Sequence, residues 1–147
     1  MTASVVNDME RQAMDLLVRG DHPILAVLRV QFSVAAVAGR DFTGVGFFTR
    51  FDVPGDAPRL TTLHRIVIDD VYAEVTGLQY GAGFVLFVER GVLHTLECFI
   101  FEDAWPPSAS LLRVYYVRPK QGEQGRLIEM IETAEREMAW AIREGAA

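Results

Sequence analysis

Two apolar runs, Phe84-Val85-Leu86-Phe87-Val88 and Val92–Phe101, are separated only by Glu89-Arg90-Gly91. A strand with no polar face cannot lie against water, so the first run predicts a central strand with both sheet faces covered. Arg90-Gly91, with glycine second, is a two-residue connection of the kind that closes a tight hairpin. Whatever this chain folds into is built around that hairpin.

Alternation with a period of two predicts the other strands. Val30, Phe32, Val34 and Ala36 alternate with Gln31, Ser33 and Ala35 as a first strand, followed by a turn at Gly39-Arg40-Asp41. Val45, Phe47, Thr49, Phe51 and Val53 form a second, stopped by Pro54-Gly55-Asp56-Ala57-Pro58, and the two are expected to pair as a hairpin. Ile66–Val75, Phe84–Glu89, Val92–Phe101 and Leu111–Val117 supply the third to sixth strands. Glu102–Ser110, with Trp105-Pro106-Pro107, reads as a loop or crossover.

Helical spacing appears at both ends. Val5–Arg19 carries Val5, Val6, Met9, Ala13, Leu16 and Leu17 on one side; Ser4 or Asn7 can cap it, Asn7 with Glu10 has capping-box spacing, and Gly20 stops it. Asp21-His22-Pro23 starts a short second helix with Pro23 at its first position and Ile24, Leu25 and Leu28 facing in. After Pro119 a polar segment, Lys120–Gly125, leads into a helix from about Arg126 to Arg143 with Leu127, Ile131, Ala134, Met138, Ala141 and Ile142 as its stripe. Trp140 falls outside that stripe, which marks it as an interface residue. The predicted fold is α+β: one domain over residues 1–147, with a mostly antiparallel sheet of about six strands and the N-terminal helices and C-terminal helix packed on it.

The chain of 147 residues is 50% hydrophobic, more than a small monomer needs to hide, so a homodimer is expected. Its net charge is −6, and its lysines and arginines are scattered singly, which argues against nucleic acid or an anionic membrane as partner. A basic protein or a small molecule remains compatible with that charge. Cys98 is the one cysteine, so no internal disulfide forms. No basic stretch followed by an apolar segment opens the chain and no apolar run reaches spanning length; no signal peptide is expected, and a cytoplasmic location is.

His22, His64 and His94 lie far apart with no second ligand at a metal spacing, so neither metal nor cofactor is expected. On a regular strand His94 and Glu97, three apart, point to opposite faces and meet only if a bulge intervenes. Glu97 shares its face with Leu93, Thr95, Phe99 and Phe101, where desolvation would raise its pKa. Asp70 and Glu74 stand about 13 Å apart along their strand, too far to hold one ion. Gly44-Val45-Gly46 and Gly81-Ala82-Gly83 do not continue into a phosphate loop, Ser33, Ser108 and Ser110 lie in no nucleophile elbow, and Cys98 reads as a buried, inert thiol. No catalytic residue is assigned. The candidate ligand pocket has Phe47, Phe99, Phe101 and Trp105 as walls, with Glu97 and one of Arg50 or His94 as polar contacts.

Thr43-Gly44-Val45-Gly46-Phe47-Phe48-Thr49, Gly81-Ala82-Gly83-Phe84 and the run from Leu96-Glu97 to Trp105-Pro106 resemble motifs of small uncharacterised bacterial proteins. The resemblance covers about Asp41–Pro107 and implies a bacterial cytosolic origin without implying a mechanism. Small acidic α+β bacterial domains also include immunity proteins that neutralise basic toxin domains, an analogy of size and charge. The expected function is a non-catalytic protein-interaction domain, self-associating and immunity-like; the alternative is a small-molecule-binding protein or small enzyme built around Glu97.

Overall fold

The computed structural model describes residues 6–120 and 129–145. Ser4 and Val5 of the first predicted helix, the polar segment beyond Lys120 and the start of the last predicted helix at 126–128 lie outside the described residues.

The first helix, α1 (Asp8–Leu17), begins as its sequence dictates. The Glu10 N–H donates to the Asn7 side chain at 2.8 Å and the Asn7 N–H donates to the Glu10 carboxylate at 2.9 Å, closing the capping box. In α2 (Pro23–Val34) the His22 imidazole accepts from the Ile24 N–H at 3.1 Å and Pro23 occupies the first turn. This helix is not short, and it consumes the predicted first strand. Leu25, Leu28 and Phe32 are buried at helical spacing while Val30 and Val34 are exposed, so the alternation of Val30, Phe32 and Val34 was incidental. Gln31 fixes the longer helix: its amide donates to the carbonyls of Pro58 and Gly91 at 2.9 and 2.8 Å and accepts from the Leu93 N–H at 2.9 Å.

The strands are β1 (Ala36–Phe42), β2 (Gly46–Asp52), β3 (Ile66–Val75), β4 (Ala82–Glu89), β5 (Val92–Ile100), β6 (Leu111–Pro119), β7 (Met130–Thr133) and β8 (Ile142–Glu144). They form one antiparallel sheet in the order β1-β2-β5-β4-β3-β6-β7, and β8 pairs with the free stretch of β3 beyond β6. Five of the six expected strands form; β1, where a turn was expected, and two short C-terminal strands bring the total among the described residues to eight. The predicted turn at Gly39-Arg40-Asp41 lies inside β1, because the Arg50 side chain crosses Gly39 where a Cβ would come within 2.3 Å of it. The turn falls instead around Gly44, at φ 86°. In the β4–β5 hairpin Arg90 and Gly91 take φ values of 51° and 80°, the paired positive angles that match strand twist.

Both helices cover the same side of the sheet. Phe84, Leu86 and Val88 of β4 are fully buried there with Met14, Leu17, Leu25, Leu28 and Ile68. Val85 and Phe87 point the other way and are only half-buried. β4 is central, as predicted, but only one of its faces is covered.

The long C-terminal helix does not form; β7, the single turn α3 (Met138–Ala141) and β8 replace its described part. Arg136 explains the change of path. Its guanidinium grips the Asp70 carboxylate at 2.7 and 2.8 Å and donates to the carbonyls of Leu17 and Arg19 at 2.9 and 2.6 Å, tying this segment to β3 and to the end of α1. Trp140 therefore stands on one turn rather than on a long helix, half-buried, with the Arg143 guanidinium 5.2 Å from its ring.

Candidate functional site

The sheet face without helices carries Glu97 and most of the residues expected around it. Along β4 and β5 the register shifts: Val88 faces Leu93 but Phe87 faces Thr95, which leaves His94 as an extra residue. This is the bulge that the spacing of His94 and Glu97 required, and it brings both to the open face. Their expected separation onto opposite faces is corrected by it. His94 Nδ1 and Thr95 Oγ1 share a hydrogen bond at 2.7 Å. Glu97 lies directly across from Phe48 on β2 and Val85 on β4. A shallow slot of about 220 Å³ is lined by Phe48, Phe87, Arg65, Glu89, His94, Thr95 and Glu97.

Burial among these apolar neighbours pushes the Glu97 carboxyl above its ordinary pKa. No hydrogen bond or ion pair offsets it among the described residues. The arginines of this face are engaged with other carboxylates: Arg50 with Asp41, Arg65 with Glu89 at 2.9 Å, Arg113 with Glu74 and Glu132 at 3.1 and 2.6 Å, and Arg143 with Asp69. Asp69 keeps one oxygen buried without a partner; burial raises its pKa despite Arg143, and the neighbouring Asp70 adds to the rise. Next to Glu97, the rings of Tyr72, Phe99 and Phe101 form an edge-to-face cluster at 5.4–6.2 Å. Gly83 makes room for it, since a Cβ there would come 2.3 Å from the Phe99 ring.

Phe47 and Trp105 are not part of that set. They meet edge-on at 5.9 Å on the helix side, and with Phe42, Met9 and Leu111 they wall a cavity of about 360 Å³. Glu10, fully buried, lies at its base. Burial opposes the Glu10 charge, but Arg40 at 2.8 Å, Thr49 at 2.5 Å and the Asn7 N–H outweigh it and hold the carboxyl below its ordinary pKa. The structure thus places Glu97, His94, Arg50, Phe99 and Phe101 on one side of the sheet and Phe47 and Trp105 on the other.

Phe48 and Phe87 escaped the sequence-based set, because alternation assigns each to a strand face but only the register of β2, β5 and β4 brings them to the slot. Glu10, Arg40 and Thr49 gave no such signal, because they meet only in three dimensions. Cys98 is buried, its thiol pushed up to about 12 by desolvation first and by the Glu97 charge second. Among the described residues no cluster of His, Cys, Asp and Glu could hold a metal ion, and no helix is long and apolar enough to cross a membrane.

The fold and this surface define a two-layer α+β domain with one helix-covered and one open sheet face. No protein-family model matches the chain, and no curated protein or solved structure does either.

Proposed function

We propose that the protein is a non-catalytic interaction domain that presents its open sheet face to a basic protein, in the manner of an immunity protein in a bacterial cytoplasm. The observation that carries this reading is the composition of that face. Its arginines are neutralised internally while Glu97, on an aromatic surface, is left with a charge that nothing in the described chain answers. A net charge of −6 adds a long-range attraction to a basic partner. Aromatic rings are enriched at the centre of protein interfaces, where a desolvated charge is answered by a charge on the partner.

Capture from a cell lysate by immobilised wild-type protein and by single variants tests this reading. A stoichiometric basic partner is expected to be retained by wild type and Phe42→Ala and lost by Phe48→Ala and Phe101→Ala; equal retention by all four overturns it. The cavity of Phe42, Phe47 and Trp105 supports a second reading, a small apolar ligand held on the helix side. Under that reading the two open-face variants behave as wild type.

A further inference from the structure

Three arginines beside the open face repeat one arrangement of guanidinium, ring and carboxylate. Arg65 lies 4.3 Å from the Phe87 ring and pairs with Glu89. Arg113 lies 4.3 Å from the Tyr115 ring and pairs with Glu74 and Glu132. Arg143 lies 5.2 Å from the Trp140 ring and pairs with Asp69. Each combines a planar cation on an aromatic face with a carboxylate at its edge, the two contacts for which arginine is better shaped than lysine. Glu97 and Phe48, directly opposed across β2 and β5, supply the carboxylate and the ring of a fourth such unit, but no arginine of the described chain completes it.

We infer that the slot between Phe48, Phe87 and Glu97 receives an arginine side chain of the partner protein. The inference rests on the open face being the interaction surface and names what that surface recognises. The slot's volume of about 220 Å³ suits one side chain rather than a folded segment. Arg65 also lines the slot, but its guanidinium is paired with Glu89 and lies on the Phe87 ring rather than against Glu97. An incoming guanidinium would give Glu97 the partner it lacks, and its stem would cover the Phe48 ring, the one beside Glu97 that no arginine of the described chain covers.

The test is a titration of the protein with N-acetylarginine methylamide, followed by amide chemical shifts, with the lysine and neutral citrulline analogues alongside. Saturable shifts are expected at Phe48, Phe87, Thr95 and Glu97 with the arginine probe, weaker ones with lysine and none with citrulline. Glu97→Gln is expected to weaken binding about tenfold, as for loss of a charge-assisted hydrogen bond, whereas Asp56→Asn in the exposed turn leaves it unchanged. Absence of saturation, equal shifts from citrulline or lysine, or indifference to Glu97→Gln overturns the inference; the citrulline comparison is made on wild-type protein and needs no variant to fold. If slot binding fails while Phe48→Ala and Phe101→Ala still abolish partner capture, the arginine is wrong and the interaction face stands.

Discussion

Glu97 and Glu10 are two carboxylates of one small domain held in opposite electrostatic conditions. Glu10 is buried with Arg40, Thr49 and the Asn7 N–H around it, so its folded-state pKa is depressed. Its contribution to stability is present above the unfolded pKa and is lost as pH falls through the folded one. The folded-state pKa of Glu97 is raised, so the sign reverses: the fold favours its protonated form, and that stabilisation, complete below the unfolded pKa, is lost as pH rises through the folded value. At neutral pH its charge therefore costs stability. Glu97→Gln is expected to raise the melting temperature at pH 7, and the gain should vanish below about pH 4, where the carboxyl is protonated in both states. Calorimetry across that range checks it, and a lower melting temperature for the variant at pH 7 contradicts it. The setting of Glu97 was legible in part: Thr95, Phe99 and Phe101 share its face as the alternation predicts, but the bulge at His94 turns Leu93 into the core instead, and Phe48 and Val85 come from the flanking strands. The position of His94 was not legible, because a bulge depends on the register of the facing strand.

Elements whose signals are local were legible to within a residue or two. The capping box of Asn7 and Glu10, the helix start at His22-Pro23 and the turn at Arg90-Gly91 involve neighbours in the chain, and each formed as its spacing required. The end of α2 did not, because the partners of Gln31 at Pro58, Gly91 and Leu93 are distant in sequence. Tertiary context likewise overrode the C-terminal pattern: Arg136 belongs to Asp70 and to the end of α1, and Ile142 pairs with Ile68 on β3. The Arg136–Asp70 pair is almost wholly buried, so removing one partner strands the other charge. Arg136→Met is expected to cost about 3–5 kcal/mol in chemical denaturation, and Asp70→Leu added to it should recover most of the loss. A single variant within about 1 kcal/mol of wild type would contradict the role assigned to this pair.

At the scale of the molecule, the helices occupy one side of an antiparallel sheet and leave the other side aromatic and open. The apolar surplus of the composition is therefore not all core: Phe48, Val85, Phe87, Phe99 and Phe101 account for part of it on the uncovered face. Composition could not reveal this, since it does not say on which side of a strand a residue falls. Self-association through Trp140 and binding of a basic protein through the open face make different demands on the same molecule, as does a ligand in the Trp105 cavity. Site-specific photo-crosslinking in the native cell separates them in one measurement. With p-benzoylphenylalanine introduced in turn in place of Phe48, Phe101, Phe42 and Trp140, the open-face reading requires adducts with a basic protein from Phe48 and Phe101 alone. Adducts only from Phe42 or Trp140, or products of twice the chain's own mass from every position, would contradict it.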